Sequence, residues 1–403
     1  MLEEKRLQFK LPLIFLKTER FNPLFESLGR RKIVGHLSWL GIIIMVSVAI
    51  LGTFLIINSI QSLITRPEVA EVQREAGPQS FILLPGFNPY LPIIHGWLAI
   101  LVGIIVHEGA HGIVAKNLNY KIHSSGFLFF LFIPIGAFVE VDEKQLQESK
   151  AKNAVRVMAA GPGANVIVAV VSLSLLLTLL NGLYPAVDGL YVVEVLKDYP
   201  ASKAGLMEKD IIYSVDGKRV LTPEDLSKAL EDKKPGEVVI LNVIRNEKEK
   251  FYLPVKISES IGGPKLGIRI VPLATGLILE NYKSLVIQNP FALFIPPTFG
   301  LAQYFIPYSD ALHSFYSHNF LGSFYYPIAQ LLFWIWFINI NLAIFNSLPI
   351  FPLDGGQSFR SFLKNFLGSK LKDKGINYVT YTFTFFFITL IITMIILPYI
   401  INP

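Results

Sequence analysis

LPIIHGWLAILVGIIVHEGAHGIVA, residues 91–115, is long and apolar enough to cross about 30 Å of hydrocarbon as a helix, and it carries His107, Glu108 and His111 near its end. Polar groups at that depth are costly and usually mark a site. Two histidines four residues apart on a helix differ by about 40° in azimuth and roughly 6 Å in height, so both imidazoles can reach one ion. Glu108 lies about 100° round from His107, placed to accept a proton from water at that ion rather than to coordinate it. Satisfied structural histidines are the alternative. That reading fits less well because three such groups share one otherwise apolar helix.

Outward from this helix the pattern repeats. Leu37 to Ile60, Val155 to Leu180 and Ile376 to Ile396 are further blocks of spanning length, and a fifth runs from Pro327 to Leu348. With 52% hydrophobic residues and a mean hydropathy of +0.50, the 403-residue chain reads as a polytopic α-helical membrane protein of about five to six spans. The first block is too long and too far from the terminus for a cleaved leader and reads as a retained span. Basic residues gather in three places: before the first span (Lys5 to Lys32), between the second and third (Lys116 to Arg156), and after the fifth (Arg360 to Lys374). Those segments are expected in the cytosol, with 61–90, 184–326 and the C-terminus outside. No nucleic-acid-reading module accompanies the basic segments, so nucleic acid is not expected as a partner. The chain has no cysteine, so any metal must be held by His, Asp or Glu.

Residues 186–259 differ from their surroundings, with charges restored and apolar runs shortened. Gly189 to Val195 and Ile211 to Val215 read as strands, the second closed by an Asp216-Gly217 turn. Thr222 reads as a helix cap with Pro223 at the first helical position. Two more strands, Val238 to Arg245 and Phe251 to Ile257, flank an Asn246-Glu247 turn. This order resembles a PDZ domain of the kind found in bacterial-type proteases, inserted here as a soluble α+β domain. The resemblance implies peptide binding at Gly189, Leu190, Tyr191 and Val192. The bland alternative is a spacer.

Residues 122–142 are apolar but broken by Gly126, Pro134 and Gly136. They read as a membrane-associated β-like segment. Its stretch Gly126 to Val139 is expected to offer a strand edge to an unwound substrate, for instance through N–H groups within Phe127 to Phe132. Residues 271–326, interrupted by Pro290, Pro296 and Pro297, read as interfacial or re-entrant.

Two histidines are too few for a catalytic zinc, which commonly takes three protein ligands. A candidate third lies in Asn346 to Gly356, where Pro349 and Pro352 break the helix and glycines permit a sharp turn at Asp354. Read alone, that stretch is equally an ordinary helix-ending loop. Together with His107 to His111, however, it resembles the site-2 protease family of intramembrane metalloproteases. That family carries HExxH on one membrane helix and N-x-x-P-x-x-x-x-D-G on another, and its G-P-x-x-N element is matched by Gly161 to Asn165. Ala110 replaces the glycine that many members have before the second histidine.

The resemblance implies one zinc ion held by His107, His111 and Asp354, with Glu108 as general base. It also implies that Asn165 and Asn346 face the site, able to hold substrate or a developing oxyanion. It covers roughly residues 91–400, with two core halves (91–183 and 327–400) around the PDZ-like domain (186–259); the basic cytosolic segment (1–33), the first span (34–64) and much of the 271–326 segment lie outside it and are read from composition and charge. Expected substrates are single-pass or otherwise membrane-anchored proteins, often already trimmed outside, cut within the bilayer for signalling or quality control. Clearance of leftover signal peptides is a rival use of the same site. A non-catalytic PDZ scaffold is disfavoured by the intact Glu108, and a metal transporter by the single ligand cluster.

Overall fold

The computed structural model describes residues 7–10, 12–130, 133–245, 249–258, 266–273, 275–368 and 370–401. The Asn246-Glu247 turn lies outside them. The N-terminal part comprises β1 (Leu7–Lys10), β2 (Leu13–Thr18), α1 (Asn22–Gly29), α2 (Lys32–Thr65), α3 (Pro67–Ala76), α4 (Ile93–Asn117), β3 (Ile122–Phe130) and β4 (Ile133–Val141), then α5 (Glu143–Glu148), α6 (Ala151–Met158) and α7 (Ala160–Asn181). Next come β5 (Leu183–Pro185), β6 (Gly189–Val195), α8 (Pro200–Lys203), β7 (Ile211–Val215), β8 (Lys218–Arg219), α9 (Pro223–Glu231), β9 (Val238–Arg245), β10 (Glu249–Lys256), β11 (Ile268–Leu273), α10 (Thr275–Gln288) and β12 (Tyr316–His318). The chain closes with α11 (Tyr325–Ser347), α12 (Asp354–Leu367) and α13 (Asp373–Ile401). It forms two compact units, one of residues 1–176 with 331–403 and one of residues 177–330.

Five helical stretches among the described residues have spanning length and composition: Lys32–Thr65, Ile93–Asn117, Ala151–Asn181, Tyr325–Ser347 and Asp373–Ile401. These are the five blocks read from the sequence, and the chain is an integral membrane protein. In α2 the buried positions Ser38, Gly41, Met45, Val48, Gly52 and Ile56 recur every three or four residues and form one stripe. Ile43 and Ile50 on its other side are about two-thirds exposed, which suits hydrocarbon. Gly41 and Gly163 meet where α2 crosses α7, and a Cβ on Gly163 would stand 3.0 Å from Gly41 Cα. Small residues at such crossings let membrane helices approach closely.

The first unit also holds a four-stranded antiparallel sheet in the order β1-β2-β3-β4. The β-like reading of 122–142 becomes the β3–β4 hairpin, and of the stretch Gly126 to Val139 expected as an edge only the β4 part is one. β3 is paired on both sides, by β2 (Leu16 opposite Phe127) and by β4 (Phe127 opposite Ala137). Phe127 to Phe130 therefore have no open hydrogen-bonding side, and Leu131 and Phe132 lie outside the described residues. The open edge at this end of the sheet is β4. The partner that closes β3 comes from the N-terminal segment, expected to be merely a basic cytosolic stretch.

The second unit contains a sheet in the order β10-β9-β7-β6-β11, with β8 on β7. Alternate residues of β9 point inward, and Val239, Leu241 and Val243 join Leu190, Val192 and Val255 in its core. Thr222 caps α9 as read, in a reciprocal capping box with Asp225. Two expectations need correction. The sheet does not end at residue 259, because β11 completes it. And β6, which holds Gly189 to Val192, is flanked by β7 and β11, so that stretch offers no edge to a peptide. The edge strand on this side of the sheet is β11, the other edge being β10, and α9 packs beside β11.

Beyond β11, the 271–326 region is ordered by buried tyrosines. Tyr282 and Tyr308 share a hydroxyl–hydroxyl bond of 2.6 Å, Tyr325 donates to the His313 carbonyl and Tyr316 to that of Thr275. Strand β12 pairs with β5.

One buried ion pair sets an expected result for this unit. Asp210, about 1% exposed, receives two bonds of 2.7–2.8 Å from Arg245. Removing the cation leaves a buried carboxylate uncompensated, so Arg245→Leu should destabilise the sheet by about 3 kcal/mol. Hydrogen exchange of the β7 and β9 amides measures this. Unchanged protection would show the pair to be dispensable.

Candidate active site

His107, Glu108 and His111 project from α4, and Asp354 opens α12. The approach of α12 depends on its next two residues. A Cβ on Gly355 would fall 2.1 Å from the Ser347 carbonyl, and one on Gly356 would fall 2.4 Å from Ile350 and Phe351 main-chain atoms. Without side chains there, the helix start lies against the 347–351 backbone and Asp354 reaches α4.

Asp354 Oδ2 stands 3.0 Å from His107 Nε2 and 3.4 Å from His111 Nε2. All three residues are under a tenth exposed. They form the one group of at least three His, Asp or Glu donors found among the described residues, with ligand atoms within 4.8 Å of one another.

The donor set fits a metal ion on its own chemistry. His111 Nδ1 lies 2.7 Å from the Val157 carbonyl, which can only accept, so Nδ1 carries a proton and Nε2 is the nitrogen that can serve as a ligand. Nε2 and a carboxylate oxygen face each other in a buried space, an arrangement that a divalent cation can bridge when the ring is neutral. Val157 is the outer partner that fixes the tautomer, a common support for ligating histidines. Its carbonyl lies near the end of α6. Two residues into the following helix, Gly161 touches both rings, and a Cβ there would lie 2.5 Å from His111 Nε2 and 2.6 Å from His107 Nε2. In the sequence Gly161 stands within its motif with no sign of this role, and nothing there marks Val157, whose contribution is main-chain.

The remaining expected residues divide. Glu108 is half-buried and its Oε2 accepts the Val139 N–H from β4 at 3.3 Å. Asn165 is fully buried, and its amide lies 3.3 Å from the carbonyls of Gly103 and Gly161, which it can satisfy only by turning its nitrogen to them as donor. It thereby ties α7 to α4 one turn from His107. The Asn346 amide donates to the Leu342 carbonyl of its own helix at 3.1 Å. Gly189 to Val192 belong to the other unit and are not part of this cluster.

A buried His-His-Asp donor set beside a glutamate, built from a membrane helix and the start of a helix that packs against it, defines an integral-membrane zinc metalloprotease. The chain belongs to peptidase family M50, whose model matches residues 95–390. It is 31% identical over 353 residues to an uncharacterized protein of Methanocaldococcus jannaschii, covering 86% of this chain and 76% of that one. A putative zinc metalloprotease of Clostridium perfringens is 26% identical over 301 residues, 71% of this chain and 87% of its own. Zinc metalloprotease RasP of Geobacillus kaustophilus is 27% identical over 208 residues, 49% of this chain and 47% of its own.

Proposed function

We propose that this site-2-type protease hydrolyses peptide bonds within or near the membrane-spanning segments of membrane-anchored proteins, with His107, His111 and Asp354 as zinc ligands and Glu108 as general base. The observation that carries the reading is the pairing of that donor set with a glutamate whose carboxylate lies against the open edge of β4. When bound, zinc polarises the scissile carbonyl and acidifies water. Glu108 takes a proton from the attacking water and delivers it to the leaving amine as the C–N bond breaks. Val157 keeps His111 in its ligating tautomer throughout. Asn346 can serve substrate only by exchanging its bond to Leu342, and Asn165 by exchanging those to Gly103 and Gly161.

A helical substrate hides its carbonyls and must unwind before attack. Unwinding in hydrocarbon leaves unpaired N–H and C=O groups, each costing several kcal/mol, and strand addition at β4 would satisfy them. A membrane-anchored substrate with helix-breaking residues near the scissile bond should therefore be cut several-fold faster by reconstituted protein than its unbroken parent. Equal rates would remove unwinding from the reaction.

The second unit is proposed as a PDZ-like substrate selector whose peptide edge is β11 beside α9. The strand succession and the capped α9 support that reading. The charge distribution supports a cytosolic N-terminus and active site with this domain outside. Because the native chain has no cysteine, single cysteines at Lys218 and Lys370 report orientation cleanly. Lys218→Cys should label from outside and Lys370→Cys from the cytosol. Labelling of the first only from the cytosol overturns the orientation.

A further inference from the structure

Val139 stands opposite Ser125 in the β3–β4 ladder, yet its N–H turns away from β3 and donates to Glu108 Oε2 at 3.3 Å. One turn beyond Glu108, Gly112 makes the approach close. A Cβ there would lie 3.2 Å from Val139 Cγ1, so α4 rests directly on β4 at this point. The carboxylate thus occupies the hydrogen-bonding side of β4 that the sheet leaves open.

We propose that the Val139 main-chain N–H is a positioning group for Glu108, aiming the base along the strand edge on which the substrate is laid out. This rests on the protease reading above and adds a geometric consequence to it. A free glutamate side chain has three rotatable bonds and samples many directions. A donor on a sheet-bound backbone selects one of them, because the strand is held by its ladder to β3 and cannot follow the carboxylate. The same strand then carries both the base and the substrate's pairing groups, so the peptide bond that comes to rest beside Val139 is the one presented to Glu108. Strand register, rather than a side-chain pocket, fixes the scissile position. A misplacement of about 1 Å costs on the order of 100-fold in rate, which is why one main-chain donor matters.

The test uses the full chain in detergent. Val139→Pro deletes the N–H without deleting a β3 ladder bond, whereas Val139→Ala keeps it. Relative to Val139→Ala, Val139→Pro should lose at least about ten-fold in kcat, with KM within about three-fold and zinc content equal. Equal kcat in the two variants overturns the proposal, as does a loss that tracks loss of zinc. A second measurement needs neither a proline nor an active enzyme. Site-resolved hydrogen exchange should show the amide of residue 139 exchanging at least about ten-fold faster in Glu108→Ala than in the wild-type chain, with the amides paired to β3 unchanged. Exchange at 139 indifferent to Glu108→Ala overturns the proposal even if Val139→Pro fails to fold. If the wild-type chain cuts no membrane substrate, the protease reading fails while the exchange result still decides this one.

Discussion

Glu108→Gln is expected to retain zinc at the wild-type ratio while losing proteolysis by roughly 10²- to 10⁴-fold, the range a positioned general base contributes. The amide is nearly isosteric with the carboxylate and keeps an oxygen for the Val139 N–H, so the seat of α4 on β4 survives. What it lacks is basicity. His111→Ala and Asp354→Ala should instead lose both metal and activity, for separate reasons. The first removes the ring anchored on the Val157 carbonyl, and the second removes the oxygen that lies 3.0 and 3.4 Å from the two histidine nitrogens. Metal analysis of each purified variant beside a cleavage assay distinguishes the roles. A Glu108→Gln protein with normal turnover would sink the mechanism, and an Asp354→Ala protein that kept full zinc would remove Asp354 from the ligand set.

The sequence showed the parts of this design that depend on local pattern. The five spans follow from hydrophobic length, the partnership of His107 and His111 from helical spacing, and the turn at Asp354 from the glycines beyond it. Local pattern also placed the α9 cap at Thr222. Strand pairing is different. Which strand lies at a sheet edge depends on partners far along the chain, and Leu16 meets Phe127 across more than a hundred residues with no local signal in either segment. Local pattern therefore marks Gly126 to Val139 as an edge without telling β3 from β4, and marks Gly189 to Val192 as a peptide site although β11 pairs there. The site was incompletely legible for a related reason. Val157 and Val139 act through main-chain groups that every residue has, so no side-chain chemistry marks them. Gly161 acts by having no side chain.

Gly161→Ala is expected to impair the site as severely as loss of a ligand, although glycine offers no group to a metal. The Cβ that alanine adds would fall 2.5 Å from His111 Nε2, 2.6 Å from His107 Nε2 and 2.7 Å from His107 Cε1, all closer than real Cβ atoms approach. Something must move. The His111 ring is tied at Nδ1 to Val157, four residues before Gly161 in the same span, so it cannot swing away without giving up that bond. The α7 backbone is held in turn by the Asn165 amide, which bridges the Gly161 and Gly103 carbonyls, and by the close crossing of Gly163 on Gly41. His107 is the freest of the three, its buried Nδ1 having no hydrogen-bond partner among the described residues, so it should be displaced first. Disturbing the orientation of a ligating histidine costs on the order of 10- to 100-fold in metal affinity, and displacement of the coordinating nitrogen itself belongs at the upper end of that range. Zinc titration of Gly161→Ala against a competing chelator measures the loss, and helical content by circular dichroism separates it from unfolding. A folded Gly161→Ala protein binding zinc as tightly as the wild-type chain would show that the two imidazoles adopt another arrangement when the ion is held.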